Sequence, residues 1–594
     1  MKRTVFILSL ISAILLTSCG KNEPMTTGAN NTPTEPINIA AMDVSELFSN
    51  RDFEKEYNAA DCVTIALQNT TASGSGVSID GSKVTIVKEG TYLLSGSLTD
   101  GMIVVDTGKE SKVHLILDGA DIHSQASAPI YIKQADKVFI TLADGSSNSL
   151  SCGESFTAID ENNIDAAIFS KDDLTLNGTG SLTVSSPAGH GIVSKDDLRI
   201  TGGSYTVTCA GHGFAGNDAV SIADGSFVIQ CGKDGIHSEN DEDSTLGAVY
   251  IGSGTYRITS DGDGISAGAA MQLSGGDFTL LCGGGSENGE EHNDDMFGGG
   301  MGMPPGSMGG RGFGEMSTAA TESDTTVSAK AFKSAGAMTV TGGSYHISSA
   351  DDAFHSNNNL TVTNGTFQIA TGDDGFHADE ALAITGGSIT ITESYEGLEG
   401  LSITVSGGDI TLKASDDGFN AAGGNDESGF GGMGGRPGGH GGFGGDRFGS
   451  SSESYIDISG GNIFVDADGD GIDSNGNLSF SGGYTIVEGP TNGGNGPLDY
   501  GGKGSLSGGT ILITGSSDMA QSLSSSGSQG VFAITVGNCS AGTEVTISDQ
   551  NGNEIVRLTP QKMFGCVIVS TPDIQKGESY TIDLNGTTGT FEAQ

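Results

Sequence analysis

Tryptophan is absent from the 594 residues, proline is scarce at 12, and lysine plus arginine number 26 against 74 aspartate plus glutamate. Without an indole, any ligand contact by ring stacking falls to tyrosine or phenylalanine. The formal net charge of −48 sets most of the surface against the phosphate backbone of nucleic acid and against anionic membrane surfaces. An acidic polymer is compatible only where metal cations bridge it to the protein's own carboxylates. One early run, Val5 to Leu16, is apolar but too short to span a bilayer, and no later segment is long and apolar enough.

That early run follows Lys2 and Arg3 and leads into Leu16-Thr17-Ser18-Cys19-Gly20. The pattern reads as an export signal over residues 1–19 closed by a lipobox, with Cys19 the lipidated residue. The expected location is therefore extracytoplasmic, with membrane contact through the lipid anchor only. Residues 20–42, rich in Thr, Asn, Pro and Glu, read as a flexible linker. Setting Cys19 aside leaves seven of the 8 cysteines, an odd number that argues against a fully paired disulfide framework. Cys209, Cys231 and Cys282 end strand-like patterns and read as buried small hydrophobes. Pairing of Cys539 with Cys566 stays open.

What the chain has in quantity is glycine, 98 residues, and repetition. An aromatic residue or Ile recurs four positions before a small or polar strand end, as in Tyr205/Cys209, Phe227/Cys231, Tyr256/Ser260, Phe367/Thr371 and Ile410/Ala414. Three residues past the strand end comes a polar residue, usually followed by Gly and an apolar residue: Asp234-Gly-Ile, Asp352-Ala-Phe, Asp374-Gly-Phe, Glu396-Gly-Leu, Asp417-Gly-Phe. From 352 to 374 and from 374 to 396 the interval is 22 residues. Short alternating segments with Gly turns and no helical periodicity predict an all-β fold, a right-handed parallel β-helix with three sheets, about 22-residue coils and end caps. No leucine-rich or strict six-residue period is present.

The β-helix is expected over 61–529, interrupted by Gly-rich insertions near 283–330 and 423–452. Residues 43–60, with an Asp at the N-cap position and Leu47, Phe48, Phe53 and Tyr57, are the candidate for a helix plugging the N-terminal end. Residues 530–594 lose the repeat and read as an antiparallel β cap.

Stacking such coils about 4.8 Å apart turns each repeated acid into a column, in which neighbouring like charges repel by about 0.9 kcal/mol even at the dielectric of water. Asp352, Asp374, Glu396 and Asp417 form its centre, thickened by Asp351, Asp373 and Asp416 one residue before. Asp263 and Asp470 extend it, with Asp261 and Asp468 two residues before each. Calcium, which takes 6 to 8 oxygen ligands, would relieve the repulsion; an Asp capping its own turn explains each residue singly. His355 with Asn357 and His377 with Asp379 share a parity opposite to the core residues. They are expected on an outward strip able to hydrogen-bond sugar hydroxyls, or merely solvated. Tyr395, preceding Glu396, is the one ring placed to offer a face. No catalytic constellation stands out.

The strings VHLILDGADIHSQASAPIYIKQADKVFITLADGSSNSL, AAIFSKDDLTLNGTGSLTV and HGIVSKDDLRITGGSYTV resemble the bacterial carbohydrate-binding parallel β-helix family, from about Ser82 onward. The resemblance implies a pectate-lyase-like fold, bound calcium, an extracellular location and association with polysaccharide, acidic polymers included. His190 and His212 depart from it, standing where the turn acid is expected. The expected function is a cell-envelope lipoprotein, acting as a monomer, that binds acidic, uronate-containing polysaccharide in a calcium-dependent way. A calcium-dependent polysaccharide lyase is the alternative, and a passive surface adhesin or stalk the second.

Overall fold

Alternation in the sequence becomes alternation in space. In Ser226–Cys231 every second side chain is buried, and the same pattern holds in Ser204–Cys209, Thr255–Ser260 and Asp277–Cys282. These strands pair in parallel with Phe227 opposite Tyr205 on one side and Tyr256 on the other, the arrangement that puts equivalent residues of successive coils side by side.

The structure, a computed structural model, describes residues 44–240, 242–290, 328–421 and 454–594. Most coils contribute three strands, and in two the short and third segments run together as Phe376–Ile384 and Leu398–Val405. Taking one coil, Ser226–Cys231 lies in a long-strand sheet, Ile236–Ser238 in a short-strand sheet and Ala248–Ile251 in a third, each paired in parallel with its counterpart in the next coil. The architecture is a three-sheet parallel β-helix. Among the described residues the only helical elements are 3-10 turns, and no helix is long and apolar enough to cross a membrane.

The core is a column of rings. Tyr205, Phe227, Tyr256, Phe278, Tyr345 and Phe367 stack at centroid spacings of 5.4, 4.8, 4.6, 4.9 and 4.7 Å. A second stack, Phe332, Phe354 and Phe376, meets the first edge-on. Each offset or edge contact adds about 0.5–1.5 kcal/mol beyond burial. The Thr-Gly-Gly turns are shaped to this column: Tyr205 Oη donates to Gly202 O at 2.8 Å. Gly203 has φ +104° and lies so close that a Cβ there would come 2.7 Å from that hydroxyl. Cys209, Cys231 and Cys282 are buried beside the rings. Although far apart in sequence, Phe278 pairs with Tyr345 and Cys282 with Ser349 in unbroken register.

The segment before the coils differs from the capping helix that its aromatics suggested. Its described part forms three 3-10 turns, Val44–Glu46, Asn50–Phe53 and Ala59–Asp61. They run along the outer face of the third sheet. Asp52 is the anchor: its Oδ1 accepts from Thr175 Oγ1 at 2.6 Å and pairs with Lys137 Nζ at 2.7 Å, while its carbonyl accepts from Asn177 and Thr201. Arg199 Nε donates to Leu47 O at 2.8 Å. These cross-links reward an extended strap lying over several coils, which a continuous helix cannot supply.

At the other end Thr510–Gly515 pairs antiparallel with Phe564–Ser570, and that strand with Phe532–Cys539. A separate four-stranded antiparallel sheet follows, built from residues between Val545 and Glu592. Cys539 and Cys566 are both free thiols. Cys19 and residues 20–42 lie outside the described residues, as do 291–327 and 422–453 from the two Gly-rich insertions.

Candidate functional site

The turn between the long and short sheets carries one side chain per coil, and the backbone fixes their order. Gly213 N donates to Asp234 O, Gly235 N to Asp263 O, Gly264 N to Lys330 O, Ala331 N to Asp352 O, Ala353 N to Asp374 O, Gly375 N to Glu396 O, Gly397 N to Asp417 O and Gly418 N to Asp470 O. These residues stand one above another. Many of their side chains perform the same task, accepting the amide N–H of the same position in the next coil: Asp263 N to Asp234 at 2.9 Å, Asp374 N to Asp352 at 3.0 Å, Glu396 N to Asp374 at 3.3 Å and Asp470 N to Asp417 at 2.5 Å. An acid caps the following turn as well as belonging to its own.

His190 and His212 do this with a ring nitrogen. His212 N donates to His190 Nδ1 at 2.9 Å, and Asp234 N to His212 Nδ1 at 3.2 Å. The Nδ1 lone pair is thereby used, and both rings are pushed below the ordinary histidine value, His190 to about 4, first by burial. A neutral imidazole replaces a carboxylate without adding charge to the column.

Lys330 occupies a column position that spacing did not reveal. It is buried, and its Nζ contacts Asp351 Oδ1 and lies 2.8 Å from Asp352 Oδ2. The signal existed: Lys330-Ala-Phe-Lys-Ser repeats Asp352-Ala-Phe-His-Ser. Counting from the previous turn missed it because the insertion lies between.

Three residues on, the short sheet places His237, Ser266, Lys333, His355, His377, Glu399, Asn420, Asp473 and Asp499 in one register. Their parity is opposite to the core, but an exposed strip is not what results. His355 is 2% exposed and His377 0%, because neighbouring carboxylates close around the rings. His355 Nδ1 lies 2.7 Å from Asp352 Oδ2. His377 Nδ1 lies 3.0 Å from Asp374 Oδ2 and also contacts Glu399, while Nε2 lies 3.2 Å from Asp379 Oδ1. Burial alone would depress His377, but its three carboxylates outweigh it and hold the ring well above the usual histidine value. Burial dominates at His355, which is lowered. Of the expected sugar contacts only Asn357 is exposed; it donates to Asp379 Oδ2 at 3.1 Å.

Beyond Glu399 no ion pair reaches Glu396, Asp417, Asp470 or Asp473 among the described residues. Burial first, then Glu399, Asp417 and Asp416, pushes Glu396 well above the carboxylate range. Asp417 rises for the same reason beside Asp416, Asp470 and Asp473, and Asp473 is pushed up to about 7. Asn420 Nδ2 donates to Glu396 Oε1 at 2.8 Å. Among the described residues Glu396 Oε2 and Asn420 Oδ1 are buried with no hydrogen-bond partner. Two orphaned acceptors among like charges, all of them oxygen, form a donor set suited to a hard divalent cation.

The remaining predicted residues fall outside this group. Asp261 is exposed, and Asp468 is held by Lys562 Nζ at 2.8 Å. Asp373 stands in the row before the column, where Tyr395 N donates to Asp373 O at 2.8 Å and Asp416 N to Tyr395 O at 2.9 Å. Tyr395 is partly exposed.

Residues 80–375 match the family model described as carbohydrate-binding domain-containing protein. A carbohydrate-binding domain-containing protein from Acetivibrio thermocellus is 38% identical over 208 residues, 35% of this chain. The chain spans 65% of that relative's length. A solved polysaccharide lyase-like protein from C. thermocellum, a gadolinium derivative, is 39% identical over 37% of this chain and 91% of its own, with a TM-score of 0.36.

Proposed function

We propose that this chain is a cell-envelope lipoprotein, anchored through Cys19, that binds polysaccharide, and that it takes acidic, uronate-containing polymers in a calcium-dependent way. The similarity of residues 80–375 to carbohydrate-binding domain-containing proteins supports the carbohydrate. The observation that carries the calcium is the pair of buried oxygens without a hydrogen-bond partner among the described residues, Glu396 Oε2 and Asn420 Oδ1, set beside the mutually repelling carboxylates of Asp417, Asp470 and Asp473. Glu396, Asn420, Asp416, Asp417, Asp470 and Asp473 would hold the ion, which when bound supplies positive charge for a ligand carboxylate. Upstream, Lys330 already neutralises Asp351 and Asp352.

The chain's own residues define the rest of the interaction. No Trp is present and the ring columns are internal, so recognition is polar and ionic, with Tyr395 offering at most one ring. A glycan array probed with and without calcium tests this. Calcium-dependent signal confined to uronate polymers supports the proposal, and silence in both conditions favours a passive stalk. Unsaturated product accumulating from polygalacturonate would instead identify a lyase.

A further inference from the structure

His377 sits where two carboxylates converge on one ring nitrogen. Its single Nδ1 faces two carboxylate oxygens, Asp374 Oδ2 at 3.0 Å and Glu399 Oε2 closer still. A ring nitrogen carries at most one proton, directed along one line in the ring plane, so it cannot donate fully to both. A cation in the proton's place meets all three atoms, and the ligand atoms of Asp374, His377 and Glu399 lie within 4.8 Å of one another.

The far side of the ring is built to match. Nε2 lies 3.2 Å from Asp379 Oδ1, and Asp379 is itself held by Asn357 Nδ2 at 3.1 Å. A carboxylate on the second ring nitrogen fixes the tautomer that leaves Nδ1 free to ligate and makes it a better donor, as around most metal-bound histidines. His355, one coil earlier, lacks this convergence. Its Nδ1 meets one carboxylate, Asp352, whose charge is already shared with Lys330. The two histidines stack at 4.6 Å yet occupy different chemical settings.

We propose that Asp374, His377 and Glu399 form a binding site for a divalent ion of the zinc type, separate from the all-oxygen segment assigned to calcium. A nitrogen ligand with two carboxylates favours a borderline ion over calcium. Three protein ligands leave a fourth position for water or an outside donor. The proposal stands or falls independently of the calcium reading.

The test uses the full chain stripped of metal, titrated with zinc and with cobalt(II) in excess calcium so that the oxygen segment is saturated. One zinc per chain should bind, and cobalt should give visible absorption that zinc displaces. Glu399→Gln and His377→Gln should each weaken binding by at least 100-fold, and Asp379→Asn, acting through the ring, by about 10- to 100-fold. Arg257→Ala, exposed on the long-strand sheet, should leave zinc binding unchanged, and melting curves of the metal-free variants establish that each is folded. Absence of zinc binding, or binding that survives in folded Glu399→Gln, overturns the proposal.

Discussion

Lys330 Nζ lies 2.8 Å from Asp352 Oδ2, with both side chains almost wholly buried, at a turn position that is acidic in the coils on either side. A lysine has been built into a column of carboxylates as its internal counterion. Removing one partner of such a pair leaves a buried charge alone, which costs about 3–5 kcal/mol. Lys330→Met should therefore lower stability by that order in denaturant unfolding. Lys330→Met combined with Asp352→Asn should recover much of the loss, since no uncompensated charge then remains at Asp352.

The ring column sets a second expectation. Tyr256 is fully buried between Phe227 and Phe278, so Tyr256→Ala should cost about 3–5 kcal/mol. Its exposed neighbour Arg257 points away from the core, and Arg257→Ala should stay within about 0.5 kcal/mol. Chemical denaturation of the two variants measures the contrast.

Acidification should act through neutral buried imidazoles. His114 and His190 are both lowered from 6.5 to about 4, first by burial, then by Arg51 at His114 and by His212 and Lys233 at His190. Between pH 6.5 and 4 the unfolded chain binds more protons than the folded one at these sites. Their contribution is thus fully present above 6.5 and is lost as pH falls through 4. His190→Asn keeps an acceptor for His212 N and removes one titrating ring. Over that window its stability should fall less steeply than that of the unaltered protein, as read from melting temperature against pH.

Lys562 ties the C-terminal region to the coils, with Nζ at 2.6 Å from Ala467 O, 2.8 Å from Asp468 and 3.0 Å from Asp466. Lys562→Gln should speed hydrogen exchange in Phe564–Ser570 while leaving Ser226–Cys231 unchanged. Equal acceleration in both strands would mean that the clamp is not local.

The coil was legible because its physics repeats. Spacing alone aligned Tyr205, Phe227 and Tyr256, and register is what stacking rings require. Lys330 was hidden because an insertion displaced it from the strand end used for counting, although the residues after it kept the pattern. Parity placed His355 and His377 off the core side but carries no information about what closes over a side chain: Asp352 and Asp374 reach back from their own turns, and Glu399 arrives from the next coil. Glu399 and Asn420 escaped notice for a related reason. Each looks like an ordinary polar residue until the register sets Glu399 beside His377 and Asn420 beside Glu399. The aromatics of residues 43–60 suggested a helix, because the partners that hold Asp52 and Leu47 in an extended strap, Thr175, Asn177, Arg199 and Thr201, lie over a hundred residues away.

The central claim is that calcium at the oxygen-only segment joins the protein to a uronate polymer. Calorimetric titration of polygalacturonate into the full chain, with calcium and again with chelator, tests it most directly, together with the Glu396→Gln, Asp417→Asn double variant and Tyr395→Ala. Affinity should disappear with chelator, weaken as salt rises and fall sharply in the double variant, with a smaller loss in Tyr395→Ala. Binding that survives chelation and is abolished by Tyr395→Ala would contradict the account and point to a neutral glucan held on a ring.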